Sequence, residues 1–218
     1  FSFGGPVGQL LSGLERTDTP QRVAVVGLGT GAMACHGRPG DEWTFYEIDP
    51  AVERIARDPR YFTYLRDCPP RTEVVLGDAR LTLANAPDGA YDVIFLDAFT
   101  SDAIPIHLLT REALALYLTK LANGGVVMFH ISNRHLDLEP MVARLAQDAG
   151  LIALVARNEP SEEDAERNIF PSVWIAMARD REALGAIARS PEWTEARLDP
   201  DVALWTDDFS NILSVFRW

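Results

Sequence analysis

Basic residues are in short supply. The 218-residue chain carries 20 Lys and Arg against 32 Asp and Glu, a formal charge of −12. Clustered Lys and Arg hold phosphate backbones and anionic lipid surfaces, so this balance argues against a nucleic-acid or membrane-surface partner. Cysteine is scarcer. Cys35 and Cys68 are too few for a disulfide scaffold and lack metal-ligand spacing, which fits a reducing, cytoplasmic setting. No apolar run reaches the roughly 18 residues of a membrane span. Internal repeats and low-complexity linkers are absent too, and the length suits one domain over 1–218. Neither Met nor a signal peptide opens the chain at Phe1, so it is expected to be a piece of something longer. At 47% apolar and 24% charged, what remains has the composition of a folded globule.

Short apolar runs alternate with helical patterns. Runs at 22–26 (RVAVV), 43–47 (WTFYE), 72–76 (TEVVL), 91–96 (YDVIFL) and 125–130 (GVVMFH) read as strands, separated by helices at 50–57, 79–85, 108–121 and 139–150. Strands apolar on both faces and separated by helices predict a doubly wound, mostly parallel α/β sheet. Residues 1–19 form a lead-in segment and 20–150 the ligand-binding core. In 151–218 the spacing predicts strands at 151–156 and 172–178, a helix at 179–188 and a last strand at 211–217, with an acidic surface loop over 157–168.

The first strand runs into Gly27-Leu28-Gly29-Thr30-Gly31-Ala32, a turn expected to open the first helix. Glycine there permits positive φ and close approach of backbone to a ligand. Glu47, 20 positions after Gly27, ends the second strand, where a carboxylate can accept from both hydroxyls of a ribose. Asp49 is a helper or the cap of the helix at Pro50. Together these residues signal a nucleoside site, open at this point to a dinucleotide or to S-adenosylmethionine and its relatives. Asp78 follows the third strand, placed either to accept from an adenine amino group or to cap the next helix. Asp97 ends the fourth strand beside the expected reversal of strand order, and a carboxylate there is costly to bury unless paired or used.

GLGTGA, FYEIDP, GDAR and LDAFTSDAIP, in this order, resemble the spermidine synthase (polyamine aminopropyltransferase) family. HISNRHLDLEP and WTDDFSNILSVFRW look like the soluble domains of bacterial spermidine-synthase-like proteins that are fused to a membrane-spanning region. The resemblance implies a class I S-adenosylmethionine-dependent methyltransferase-like (Rossmann-like) fold. It also implies that Gly27, Gly29 and Gly31 line a thioether-adenosine site, that Glu47 holds the ribose and Asp78 the adenine, with Asp49 and Ala79 in the same set, and that Asp97 is the catalytic acid. A homodimer is common in that family. Two departures bear on the polyamine: the compact D-x-x-D pattern becomes Asp97 and Asp102 with four residues between, and the acidic and Tyr-His residues before the first strand become Gly4-Gly5-Pro6-Val7-Gly8-Gln9.

An aminopropyl donor carries a sulfonium, so its adjacent carbon is already electrophilic and no metal is needed. The protein must align the reactants and deprotonate an amine. Asp97 is the candidate base, with Asp102 next. Asp207 and Asp208 are candidates to attract a cationic amine beside an aromatic wall at Trp205, or are a solvated turn. His107 and His135 read as surface or capping residues, and Cys35 as packing. The expected function is aminopropyl transfer from decarboxylated S-adenosylmethionine to an amine such as putrescine. The alternatives are methyl transfer from S-adenosylmethionine and a non-catalytic nucleoside sensor attached to a membrane protein.

Overall fold

The computed structural model describes residues 4–14, 19–98, 105–159 and 170–216. The β-branched and aromatic runs form β1 (Arg22–Val26), β2 (Glu42–Glu47), β3 (Arg71–Leu76), β4 (Tyr91–Leu96) and β5 (Leu121–His130). They are followed by β6 (Ile152–Asn158), β7 (Ser172–Ala178) and a short β8 (Trp193–Glu195). All eight join one sheet in the order β3-β2-β1-β4-β5-β7-β6-β8. The strands from β3 to β5 are parallel, and β7 runs antiparallel to both β5 and β6. The chain steps outward from β1 to β3 and then crosses back to β4 on the other side of β1. The connections therefore part between β1 and β4 and leave a crevice at the carboxyl ends of these strands.

The pleat explains why the central strands are apolar on both faces. Ala24, Val26, Ile94, Leu96, Val127 and Phe129 belong to one buried cluster, and Val23, Val25, Val93, Phe95, Val126 and Met128 belong to the other. Successive side chains point to opposite faces, so each of these strands feeds two cores. β3 lies at the sheet's edge and has no fully buried side chain.

The helices are α1 (Pro6–Gly13), α2 (Pro50–Arg57), α3 (Tyr64–Asp67), α4 (Ala79–Ala84), α5 (Arg111–Lys120) and α6 (Glu139–Asp148). Three start where a short polar side chain takes up free backbone donors. Asp49 accepts from the amide of Ala51, Asp78 from those of Arg80 and Leu81, and Thr110 from that of Ala113. Helix α1 lies inside the lead-in segment, buries Val7, Leu10 and Leu11, and packs on a 3-10 helix at Gly185–Arg189. That approach is close: a Cβ on Gly185, whose φ is +59°, would sit 2.3 Å from the Gly13 carbonyl oxygen.

Four expectations are corrected. The glycine turn opens only a 3-10 helix, Ala32–His36. The segment expected as a helix at 179–188 is a turn leading into Gly185–Arg189. The expected last strand is a 3-10 helix, Ile212–Val215, ending in an isolated bridge from Phe216 to Leu136. Its apolar spacing suits a strand, but the free edge of β6 is taken by β8. Finally, Cys35 and Cys68 form a disulfide, with Cα atoms 4.7 Å apart, so the cysteines no longer argue for a reducing compartment. Cys35 lies in the Ala32–His36 turn and Cys68 caps α3, a pairing that 33 residues of separation hide from the sequence. Among the described residues, no helix is long and apolar enough to cross a membrane.

Candidate active site

A cavity of about 410 Å³ opens at the carboxyl ends of β1, β2 and β4, a size that fits a small-molecule ligand. Gly27 is needed for the strands to meet there. Its φ is +99°, and a Cβ would stand 2.5 Å from the carbonyl oxygen of Asp97. The amide of Asp97 in turn donates to the Val26 carbonyl at 2.8 Å, so the backbone of the candidate base is fixed by the end of β1. Gly29, at φ +53°, faces open space and lines the cavity. Gly31 is not among the lining residues; a Cβ there would meet Leu65 of α3 at 2.8 Å. Its role is to seat the turn on α3.

Glu47 is 8% exposed and lines the same cavity. Its two oxygens receive the amides of Leu28, at 3.0 Å, and Asp49, at 2.9 Å. The carboxylate therefore ties the glycine loop to the end of β2, and each oxygen keeps acceptor capacity toward the cavity. Asp49, Asp78 and Ala79 line it as well. Asp49 and Asp78 combine this position with capping, so the capping and ligand readings of these two acids are compatible.

Asp97 lines the cavity, and its Oδ1 lies 2.7 Å from His130 Nδ1. Nε2 of His130 is 2.7 Å from the Ser132 hydroxyl, which also accepts from the Val173 amide at 2.8 Å. The sequence reading missed His130. The register that pairs Leu96 with Phe129 across β4 and β5 places Asp97, one step beyond β4, beside His130, the last residue of β5, and that was the available signal. His107, read from sequence as a surface or capping residue, also lines the cavity, with Nε2 3.3 Å from Asp78 Oδ2. Asp102 lies outside the described residues.

The proposed acceptor wall is elsewhere. Trp205 is fully buried in the core and does not line the cavity. Asp207 is held by Arg80 through two contacts, of 2.7 and 2.5 Å, and by the Thr110 hydroxyl at 2.8 Å. The Arg80 guanidinium, with help from Thr110, pulls its carboxyl down to about 2. Asp207 therefore clamps the 205–209 turn to α4, and its charge is already matched. Asp208 is exposed. Neither acid lines the cavity.

Four carboxylates thus face the cavity, from Glu47, Asp49, Asp78 and Asp97, while no Lys or Arg is among the described residues that line it. Such a lining favours a ligand that carries hydroxyls and positive charge. It opposes a pyrophosphate, which also finds only a five-residue 3-10 helix behind the glycine loop.

No protein-family model matches the chain. Among curated proteins, it is 36% identical over 127 residues to a polyamine aminopropyltransferase of Vibrio vulnificus, a match covering 56% of this chain and 41% of that protein. It is 30% identical over 128 residues to a putative O-methyltransferase of a Mycobacterium species, covering 57% of this chain and 54% of the relative. The chain thus matches about half, or less, of the length of these two relatives. Among solved structures, a probable spermidine synthase from Corynebacterium glutamicum superposes with a TM-score of 0.59 at 17% identity, covering 88% of this chain and 77% of that one. The fold is the class I methyltransferase fold. Its mostly parallel sheet was expected from the alternating runs, and its class from the resemblance.

Proposed function

We propose that this chain is a transferase domain that binds a sulfonium nucleoside at the β1–β4 crevice. It passes the aminopropyl group of decarboxylated S-adenosylmethionine to a small amine such as putrescine. The observation that carries this reading is the carboxylate-lined cavity at the strand-order reversal, with Asp97 at its wall and no Lys or Arg among the described residues that line it. In this reading the loop at Gly27 and Gly29 gives the donor close backbone contact, Glu47 takes the ribose hydroxyls, and Asp78 and Ala79 border the adenine. An alkyl ammonium titrates near about 10, so the acceptor must lose a proton on the protein. Asp97 takes that proton, and the freed lone pair attacks the carbon next to sulfur. The C–N bond forms as the C–S bond breaks, the electron pair goes to sulfur, and neutral methylthioadenosine departs. Alignment of amine, carbon and sulfur in a carboxylate-lined cavity supplies most of the rate.

The likeness to O-methyltransferases supports a second reading, methyl transfer from intact S-adenosylmethionine in the same cavity. Calorimetry with S-adenosylmethionine, its decarboxylated form, methylthioadenosine and NAD, followed by product analysis with putrescine and spermidine, separates the two. Aminopropyl transfer releases methylthioadenosine, and methyl transfer releases S-adenosylhomocysteine. Binding of NAD alone would overturn both readings, and nucleoside binding without turnover of any amine would leave a sensor.

A further inference from the structure

The proposed base is not free to choose its orientation. Asp97 Oδ1 meets His130 Nδ1 at 2.7 Å, and the imidazole lies flat on the Trp174 indole, with centroids 4.5 Å apart and planes 14° from parallel. Trp174 is itself 1% exposed, so the ring is held from behind by the core. The far nitrogen is held as well. The Val173 amide can only donate, so Ser132 Oγ accepts it at 2.8 Å. The hydroxyl keeps its own proton to give to His130 Nε2, 2.7 Å away. Asp97, as the proposed base, is an ionised carboxylate that can only accept, so Nδ1 carries the ring proton and gives it to Asp97, and Nε2 of the neutral ring accepts from Ser132.

We propose that His130 is the positioning residue of Asp97: its Nδ1–H occupies Oδ1, and Ser132 fixes the tautomer, leaving Oδ2 as the oxygen that receives the amine proton. This rests on the reading of Asp97 as the base of a group transfer from a sulfonium donor. The arrangement inverts the familiar relation in which a carboxylate orients a histidine; here the histidine, locked by stacking, orients the carboxylate. Two adjacent parallel strands supply the pair, which places it on the rigid part of the sheet.

The test uses three variants of the whole chain. His130→Phe keeps a ring on Trp174 and removes the donor. It should lower kcat on the order of 10–100-fold, the span over which partners that orient site residues act, with nucleoside Kd and the donor KM unchanged. His130→Asn places a carboxamide N–H near the position of Nδ1–H and should recover to within about fivefold of the wild type. Ser132→Ala should fall between these two, and long-range proton–nitrogen NMR of the His130 ring should show protonated Nδ1 in the wild type and a mixture of tautomers in Ser132→Ala. Full activity in His130→Phe, or no recovery in His130→Asn, overturns the positioning role while leaving the reaction in place. A wild type that binds nucleoside and turns over no amine overturns the reaction itself, and this role with it.

Discussion

Two corners of the molecule present carboxylates that sequence reading placed in one acceptor site, and they are built in opposite ways. At the end of β4, Asp97 meets a histidine held by stacking and by a serine, and it lines the cavity. In the 205–209 turn, Asp207 meets a guanidinium and a hydroxyl, lies outside the cavity lining, and fixes the turn to α4 and α5. A carboxylate bonded through one oxygen by a histidine keeps an acceptor for chemistry, whereas one gripped through both oxygens by arginine is committed to structure. Proximity in sequence to an aromatic does not tell these cases apart. The identity of the partner does.

The sharpest way to break this comparison is to make the same substitution at both corners. Asp97→Asn should cost turnover on the order of 10²–10⁴-fold, the usual reach of a general base, with nucleoside affinity preserved. Asp207→Asn should leave kcat within about twofold and lower Tm by no more than about 4 °C, since partly exposed ion pairs contribute about 0–1 kcal/mol. Steady-state kinetics and thermal melts on the two proteins check both outcomes. Equal losses of turnover would mean that the two corners act as one site.

The parallel half was largely legible in the sequence. The β-branched runs predicted β1 to β4, and the interval from Gly27 to Glu47 brought the loop and the carboxylate to one cavity. The same sequence also carried Asp78 as both cap and cavity wall, because local capping rules and the strand-end rule point to the same atom. What escaped depended on contacts between distant segments. His130 gains its meaning from the register of β4 against β5, Cys35 from Cys68, and Asp207 from Arg80, 127 residues away. The 212–215 segment has strand-like spacing but forms a 3-10 helix, and β8 takes the place beside β6.

A smaller effect sharpens the contrast from the cavity side. Glu47→Ala removes the acceptor that ties Leu28 and Asp49 together. The loss of charged hydrogen bonds of about 1.5–3 kcal/mol should weaken nucleoside binding by about tenfold or more. Titration calorimetry reads this directly, and unchanged affinity would remove Glu47 from the nucleoside site. Glu47→Gln should lose less than Glu47→Ala, because the amide keeps one acceptor oxygen for the loop.

Acid should act first on the 3-10 helix behind the glycine loop and then on the 205–209 turn, and the signs follow from two displaced titrations. Burial pushes His36, in the 3-10 helix behind the glycine loop, from 6.5 down to about 4. The unfolded chain therefore binds that proton first, and stability complete above about 6.5 is lost as the pH falls toward 4. Asp207 is shifted down as well, by its pairing with Arg80 and not by burial: its carboxyl sits at about 2 against an ordinary 3.8, so its contribution is complete above 3.8 and is lost only as the pH falls toward 2. Melting temperature against pH should show both limbs. His36→Gln cannot titrate and should flatten the limb between 6.5 and 4 while leaving the lower one, and Asp207→Asn should do the reverse. An upper limb that survives His36→Gln would place the acid-sensitive group elsewhere and break the proposed order.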